Sequence, residues 1–149
     1  MLVVMIATIS VWFTACSKDD KPDEDYLKSK IIGEKWYDYL GTKDNYILFR
    51  ENGTYTCIVE AVTLGNEILG ESHYDAMNIN GMYSIKEIEE TTLDGKKETL
   101  FKMLASGSND FDQIWVKLYT VSSSSSNDIV VYFYSGNELV RSRGFWNRI

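Results

Sequence analysis

The residues able to do chemistry are few, and their spacing builds no catalytic or metal-binding pattern. His73 is the only histidine in the chain. A zinc site on one imidazole needs carboxylate or thiolate partners at ligand spacing, and none surrounds it. His73 therefore reads as a structural or exposed residue. Serines are abundant, but no Gly-x-Ser-x-Gly elbow occurs, so a Ser–His nucleophile pair has no support. Among Glu87, Glu89 and Glu90, alternation puts Glu87 and Glu89 on one strand face. Their apolar neighbours are few, so the group reads as a solvated face rather than the acid and base of a glycosidase. Asn109-Asp110-Phe111-Asp112 offers oxygen ligands but lacks the longer calcium-loop pattern ending in Glu. Cys57 lies in an alternating apolar segment and reads as a buried, inert thiol. No metal and no cofactor is expected, and the chain reads as a non-enzyme.

The aromatic residues are the better functional lead. Trp115 and Tyr119 flank Lys117 on one strand face, and Tyr132 and Tyr134 share a face of the next strand. Flat rings with a polar rim can hold a sugar or line the mouth of a barrel. The same rings can fill a core or an outer belt. Trp36, Trp115, Tyr119, Tyr132 and Tyr134 are the candidate ligand-binding residues.

These side chains need strands to position them. Aromatics make up 13% of the chain, and β-branched residues accompany them, a mixture that favours strands. Leu27, Ile31 and Ile32 share a helical face ahead of Gly33, which suits a left-handed stop, so residues 26–33 are predicted as one or two helical turns. The first strand is 34–40, with Trp36, Asp38 and Leu40 on one side. Strands 46–49 and 54–59 flank Asn52-Gly53, a hairpin signal because both residues tolerate positive φ. Residues 64–72 read as a loop and 73–79 as a strand. Asn80-Gly81 reads as a second hairpin turn into 82–86, and Asp94-Gly95 as a third, between 85–90 and 98–104. Residues 105–110 form a loop. Residues 113–120 alternate, with Ile114, Val116 and Leu118 facing one way. The serine run 122–128 is a flexible loop. A last hairpin pairs 129–134 with 138–143 around Ser135-Gly136-Asn137. The chain is thus all-β: about eight short antiparallel strands in a meander, with a short N-terminal helical turn. Closure into a barrel removes the edges such a sheet would expose.

The formal charge is −7 and the pI about 4.7. No basic cluster exists to neutralise phosphates, so nucleic acid is not a partner. The N-terminus is organised differently from the rest. An uncharged apolar run from Met1 leads to Phe13-Thr14-Ala15-Cys16-Ser17, followed by the acidic stretch through Asp25. The run is shorter than the roughly 20 residues of a membrane span and reads as a signal-peptide core. A small-residue pair before cysteine resembles a bacterial lipobox. The resemblance implies cleavage before Cys16 and lipids on the new N-terminus, where two or more acyl chains give stable anchoring. Lys18-Asp19-Asp20 is similar to the export signals of Bacteroidota surface lipoproteins; the same residues also read as a solvated tether. The domains are then a signal peptide (1–15), an acidic tether (16–25) and a barrel domain (26–149). The implied location is the outer membrane, at the cell surface rather than the periplasmic face.

The helical turn into Gly33-Glu34-Lys35-Trp36, the Phe49-Arg50-Glu51-Asn52-Gly53-Thr54-Tyr55 hairpin and the aromatic meander together resemble the small lipocalin-like lipoproteins of Bacteroidota. Typical lipocalins carry Gly-x-Trp where this chain has Gly-x-x-Trp. The resemblance implies a lipocalin-like barrel with Trp36 at its floor. It also implies a basic residue of the last strand, Arg141 or Arg143, stacked on that ring by a cation–π contact of about 1–2 kcal/mol. Two functions follow as expectations. One is a binding module for a small apolar ligand or glycan fragment, lined by inward positions such as Trp36, Leu48 and Val116. The other is an envelope component with a filled barrel that meets a protein partner through its outer face. Replacing Cys16→Ala should release the protein from the membrane fraction; a variant that still pellets with membranes and keeps its first fifteen residues would refute the lipobox.

Overall fold

The computed structural model describes residues 23–40, 42–66, 70–93, 96–119 and 126–148. Cys16, the signal segment, Lys18-Asp19-Asp20 and the Asp94-Gly95 turn lie outside the described residues. The described residues form a helix α1 (Glu24–Ser29) and ten strands: β1 (Lys35–Asp38), β2 (Tyr46–Phe49), β3 (Thr54–Val59), β4 (Val62–Asn66), β5 (Gly70–Tyr74), β6 (Met77–Leu93), β7 (Lys96–Ala105), β8 (Gln113–Tyr119), β9 (Ser126–Ser135) and β10 (Glu138–Arg148). Eight of them close an antiparallel barrel in the order β1-β10-β9-β8-β7-β6-β3-β2, while β4 and β5 pair only with each other. Among the described residues no helix is long and apolar enough to cross a membrane.

Period-two alternation explains the core. Along β8, Ile114, Val116 and Leu118 are buried while Gln113, Trp115, Lys117 and Tyr119 are half-buried on the outside. Ile47, Phe49, Tyr55, Phe101 and Phe145 are completely buried from other strands. In β2 the inward residues are Ile47 and Phe49, so Leu48, expected to face inward, points out. The run Tyr-Ile-Leu-Phe is apolar at every position, and its parity is set by the neighbours: Ile47 lies opposite Trp36 and Cys57.

The floor of the barrel is closed by the N-terminal segment. Asp23 caps α1, its Oδ1 accepting from the Asp25 N–H at 3.1 Å. Leu27 and Ile31 are buried, and the indole N–H of Trp36 donates to the Ile31 carbonyl at 3.4 Å. Gly33 has φ +86°, and its N–H donates to the Phe49 carbonyl at 2.8 Å. The helix itself stops at Ser29, so Gly33 serves the turn into β1 rather than the helix end.

Two readings of the turns diverge. Asn52-Gly53 does turn the chain, with Gly53 at φ +78° and the Arg50 N–H donating to the Thr54 carbonyl at 2.8 Å. Asn80-Gly81 does not: β6 runs straight through it. Gly81 lies opposite Tyr55, and a Cβ there would sit 1.8 Å from the Ser106 carbonyl oxygen and 2.6 Å from the Tyr55 ring. The glycine is needed for close approach, not for a turn, and the Tyr55 hydroxyl donates to that same carbonyl at 2.9 Å. Residues 64–72 are not a plain loop, because β4 and β5 form a ladder from Val62↔Tyr74 to Asn66↔Gly70. Residues 126–128 of the serine-rich segment belong to β9, paired with the extended end of β10.

Closure rests on a short seam. The ladder between β1 and β10 comprises Tyr37↔Trp146 and Asp38↔Phe145. Beneath it the Arg143 guanidinium donates to both oxygens of Asp38, Nε to Oδ1 at 2.9 Å and Nη2 to Oδ2 at 2.6 Å. Both side chains are buried. Arg143 thus spends its charge on a carboxylate rather than on the Trp36 ring, and Arg141 donates to the Asp75 carbonyl at 2.8 Å. Removing one member of the pair (Asp38→Ala or Arg143→Met) strands a buried charge and should cost about 3–5 kcal/mol in urea denaturation. Replacing both with apolar residues should recover most of that loss.

Candidate binding site at the barrel mouth

The strand connections alternate between the two ends of the barrel. Helix α1 and the β2–β3 turn lie at the floor. The β4–β5 excursion, the β7–β8 loop and the β9–β10 turn gather at the opposite end. Toward the floor Ile31, Trp36, Ile47 and Phe49 are buried; at the mouth there is a cavity of about 590 Å³. Its apolar lining comes from Met77 and Ile79 of β6, Phe111 of the β7–β8 loop, Phe133 of β9 and Val140 of β10; its polar lining includes His73, Asp75, Asp110 and Arg141.

Three local devices assemble this lining. A bulge in β10 leaves Val140 as the extra residue, with Leu139 opposite Tyr134 and Arg141 opposite Phe133. Such a bulge re-aims the following side chains, here bringing Arg141 to the cavity. Phe111 folds inward against Phe133, ring centroids 4.8 Å apart, and is buried. On the other side, His73 and Thr63 pair across β4 and β5, with Thr63 Oγ1 2.9 Å from His73 Nδ1. His73 Nε2 lies 3.2 Å from Asp75 Oδ1, and Arg141 holds the Asp75 carbonyl. The excursion is therefore fastened to the barrel wall at the mouth.

Comparison with known proteins returns no match: no family model, no curated protein and no solved structure. What the chain does must be read from its own geometry.

The five aromatic candidates divide between inside and outside. Trp36 is buried at the floor. Trp115, Tyr132 and Tyr134 line a shallow groove of about 280 Å³ on the outer wall, with Glu89, Glu98, Leu100 and Lys117; Tyr119 lies beside it on β8. These groups largely satisfy one another. Trp115 stacks on Tyr134 at 4.5 Å, and its N–H donates to Gln113 Oε1 at 3.2 Å. Lys102 Nζ lies 5.1 Å from the Trp115 ring centroid while donating to Glu87 at 3.0 Å and Glu89 at 2.6 Å. Lys117 pairs with Glu98 at 2.8 Å and lies over Tyr119. The hydrogen bond from Lys102 holds the Glu89 carboxyl below the usual carboxylate range. Burial, with a hydrogen bond to Tyr119, pushes the Tyr132 phenol up. Glu87 and Glu89 thus share one lysine, an arrangement suited to a ladder on a sheet surface. Among the described residues no group of three or more His, Cys, Asp or Glu side chains is placed to hold a metal ion.

Sequence reasoning named His73 and Arg141 without joining them. It missed Met77, Ile79, Phe111 and Val140 as cavity-lining residues. The one local signal was the unbroken apolar Leu139-Val140, where alternation fails and a bulge is the usual cause.

Cys57 faces the core and is completely buried. Burial pushes its thiol up to about 12, helped by the Asp38 charge and opposed by Arg141 and Arg143. Burial likewise pushes the Tyr55 phenol up to about 12. Above the ordinary thiol value of 9.0 the unfolded chain releases protons that the folded chain keeps, so stability should fall as pH rises from about 9 to 12. In the same protein, a thiol reagent at mildly alkaline pH should label Cys57 only at the rate of unfolding. Rapid native labelling would contradict this burial.

Proposed function

We propose that the chain is a membrane-tethered β-barrel that binds a small, mostly apolar molecule with a polar end at its mouth. The observation that carries this reading is the cavity of about 590 Å³, within the roughly 300–1,000 Å³ typical of ligand sites. Its two kinds of lining match two parts of one molecule. Met77, Ile79, Phe111, Phe133 and Val140 suit an apolar body, and the Arg141–Asp75–His73 rim suits a hydrogen-bonding head. Among the described residues Arg141 makes no ion pair, which leaves guanidinium donors for a ligand.

The tether belongs to the same proposal. The lipobox resemblance at Cys16 supports anchoring in the outer membrane, facing the cell surface. The closed up-and-down barrel with its floor helix suits the lipocalin-like lipoprotein resemblance. The large buried side chains toward the floor, Trp36, Phe49 and Ile31, favour a second reading, in which the barrel is an envelope scaffold that meets a protein partner through its outer wall.

Val140 is about half exposed, so Val140→Trp can fill the mouth without disturbing the core. That variant should bind anilinonaphthalene sulfonate or a dansylated fatty acid at least about tenfold more weakly than the parent, at unchanged melting temperature. Equal binding by the filled variant would turn attention to the envelope-scaffold reading.

A further inference from the structure

We infer that a second groove, along the β1–β10 seam, is a binding site for an acidic saccharide. This site lies on the outer wall, apart from the mouth. Its volume is about 650 Å³, and its lining includes Tyr37, Trp146, Tyr39, Lys35, Lys43 and Asn147.

The floor is an aromatic pair. Tyr37 and Trp146 are register partners across the seam, their ring centroids 6.2 Å apart and tilted by 49°. Both are half-buried, so they present flat surface at the bottom of a trough rather than protruding knobs. A trough of this kind suits the apolar face of a sugar ring, as it would not suit a bilayer. One wall is built for the purpose. The Tyr39 ring lies over Gly144, where a Cβ would come within 3.1 Å of it. The other wall is polar, with the Asn147 amide donating to Glu34 Oε2 at 2.9 Å.

Charge selects the kind of sugar. The protein as a whole carries −7, yet this groove holds two lysines. Lys35 lies over the Tyr46 ring at 3.8 Å, and neither Lys35 nor Lys43 makes an ion pair among the described residues. Two carboxylates line the groove as well, Glu34 and Asp38; Asp38 is neutralised by Arg143, while Glu34 keeps its charge beside the Asn147 amide, so the two lysines leave a local excess of one positive charge. Local positive charge in an acidic protein concentrates an anionic partner at that spot. Rings for the sugar face, an amide for its hydroxyls and lysines for its charge together describe a glycan bearing carboxylate or sulfate groups.

The test is affinity electrophoresis of the full chain in detergent, through gels containing alginate, chondroitin sulfate or neutral dextran. Retardation by alginate assigns a carboxylate as sufficient; retardation by chondroitin sulfate alone assigns a sulfate. Trp146→Ala should weaken the interaction about tenfold or more. Lys43→Glu, on the exposed β1–β2 connection, should weaken it more at low salt than at high salt. That surface variant decides the matter if Trp146→Ala does not fold. Val140→Trp should leave retardation unchanged. The proposal is overturned by retardation in dextran equal to that in the acidic glycans, by none in any gel, by insensitivity to Lys43→Glu, or by loss on filling the mouth.

Discussion

The barrel depends on one buried ion pair. A meander of strands closes only if its first and last members meet, and here the first, β1, is four residues long. So few ladder bonds hold a weak seam on their own. The two-point contact between Arg143 and Asp38 ties β1 to β10 from the inside, joining residues 105 apart in sequence. Its cost is the desolvation of two charges, which only good geometry offsets. The carboxylate has that geometry: both oxygens accept from Arg143, and Oδ1 also takes the Leu40 N–H at 3.2 Å. Once closed, the barrel leaves no free edge on its eight main strands, and the interior can be filled with aromatic and aliphatic side chains.

Filling is uneven. Toward the floor, Trp36, Phe49 and Ile31 leave no room. Toward the mouth, the β10 bulge and the inward Phe111 hold side chains apart instead of letting them interdigitate. The outer wall divides in a similar way. Over β6 to β9, lysines and glutamates pair with one another and with the rings, and the surface is quiet. Over the seam, Lys35 sits above the Tyr37 and Tyr46 rings, and neither it nor Lys43 has a carboxylate partner among the described residues.

Much of the fold was legible in the chain because strand alternation is a local property. The parity of residues 113–119 and the placing of Trp36 and Asp38 on one face both hold. The failures are instructive because they involve identical local sequence. Asn52-Gly53 and Asn80-Gly81 are the same dipeptide between apolar runs, yet the first turns and the second stays extended. What separates them is the Tyr55 ring and the Ser106 carbonyl across the sheet, and no neighbour in sequence reports either. The mouth was illegible for the same reason. Its lining comes from four separate segments, joined by a bulge and an excursion that only tertiary pairing reveals. The aromatic pattern left open which rings would face in and which out, and which of them lysines would cover depended on register.

The position of α1 gives the molecule a direction. The chain enters the barrel at the plugged floor, through Ile31, Ile32 and Gly33, and every cavity-forming connection lies at the far end. The N-terminal segment therefore joins the barrel at its base. In the proposed tethered form the mouth would turn outward, like a cup fixed by its foot, with the β1–β10 seam along its flank. A particle approaching from the medium would meet the open rim first and the flank second, while the closed base stays toward the anchoring surface.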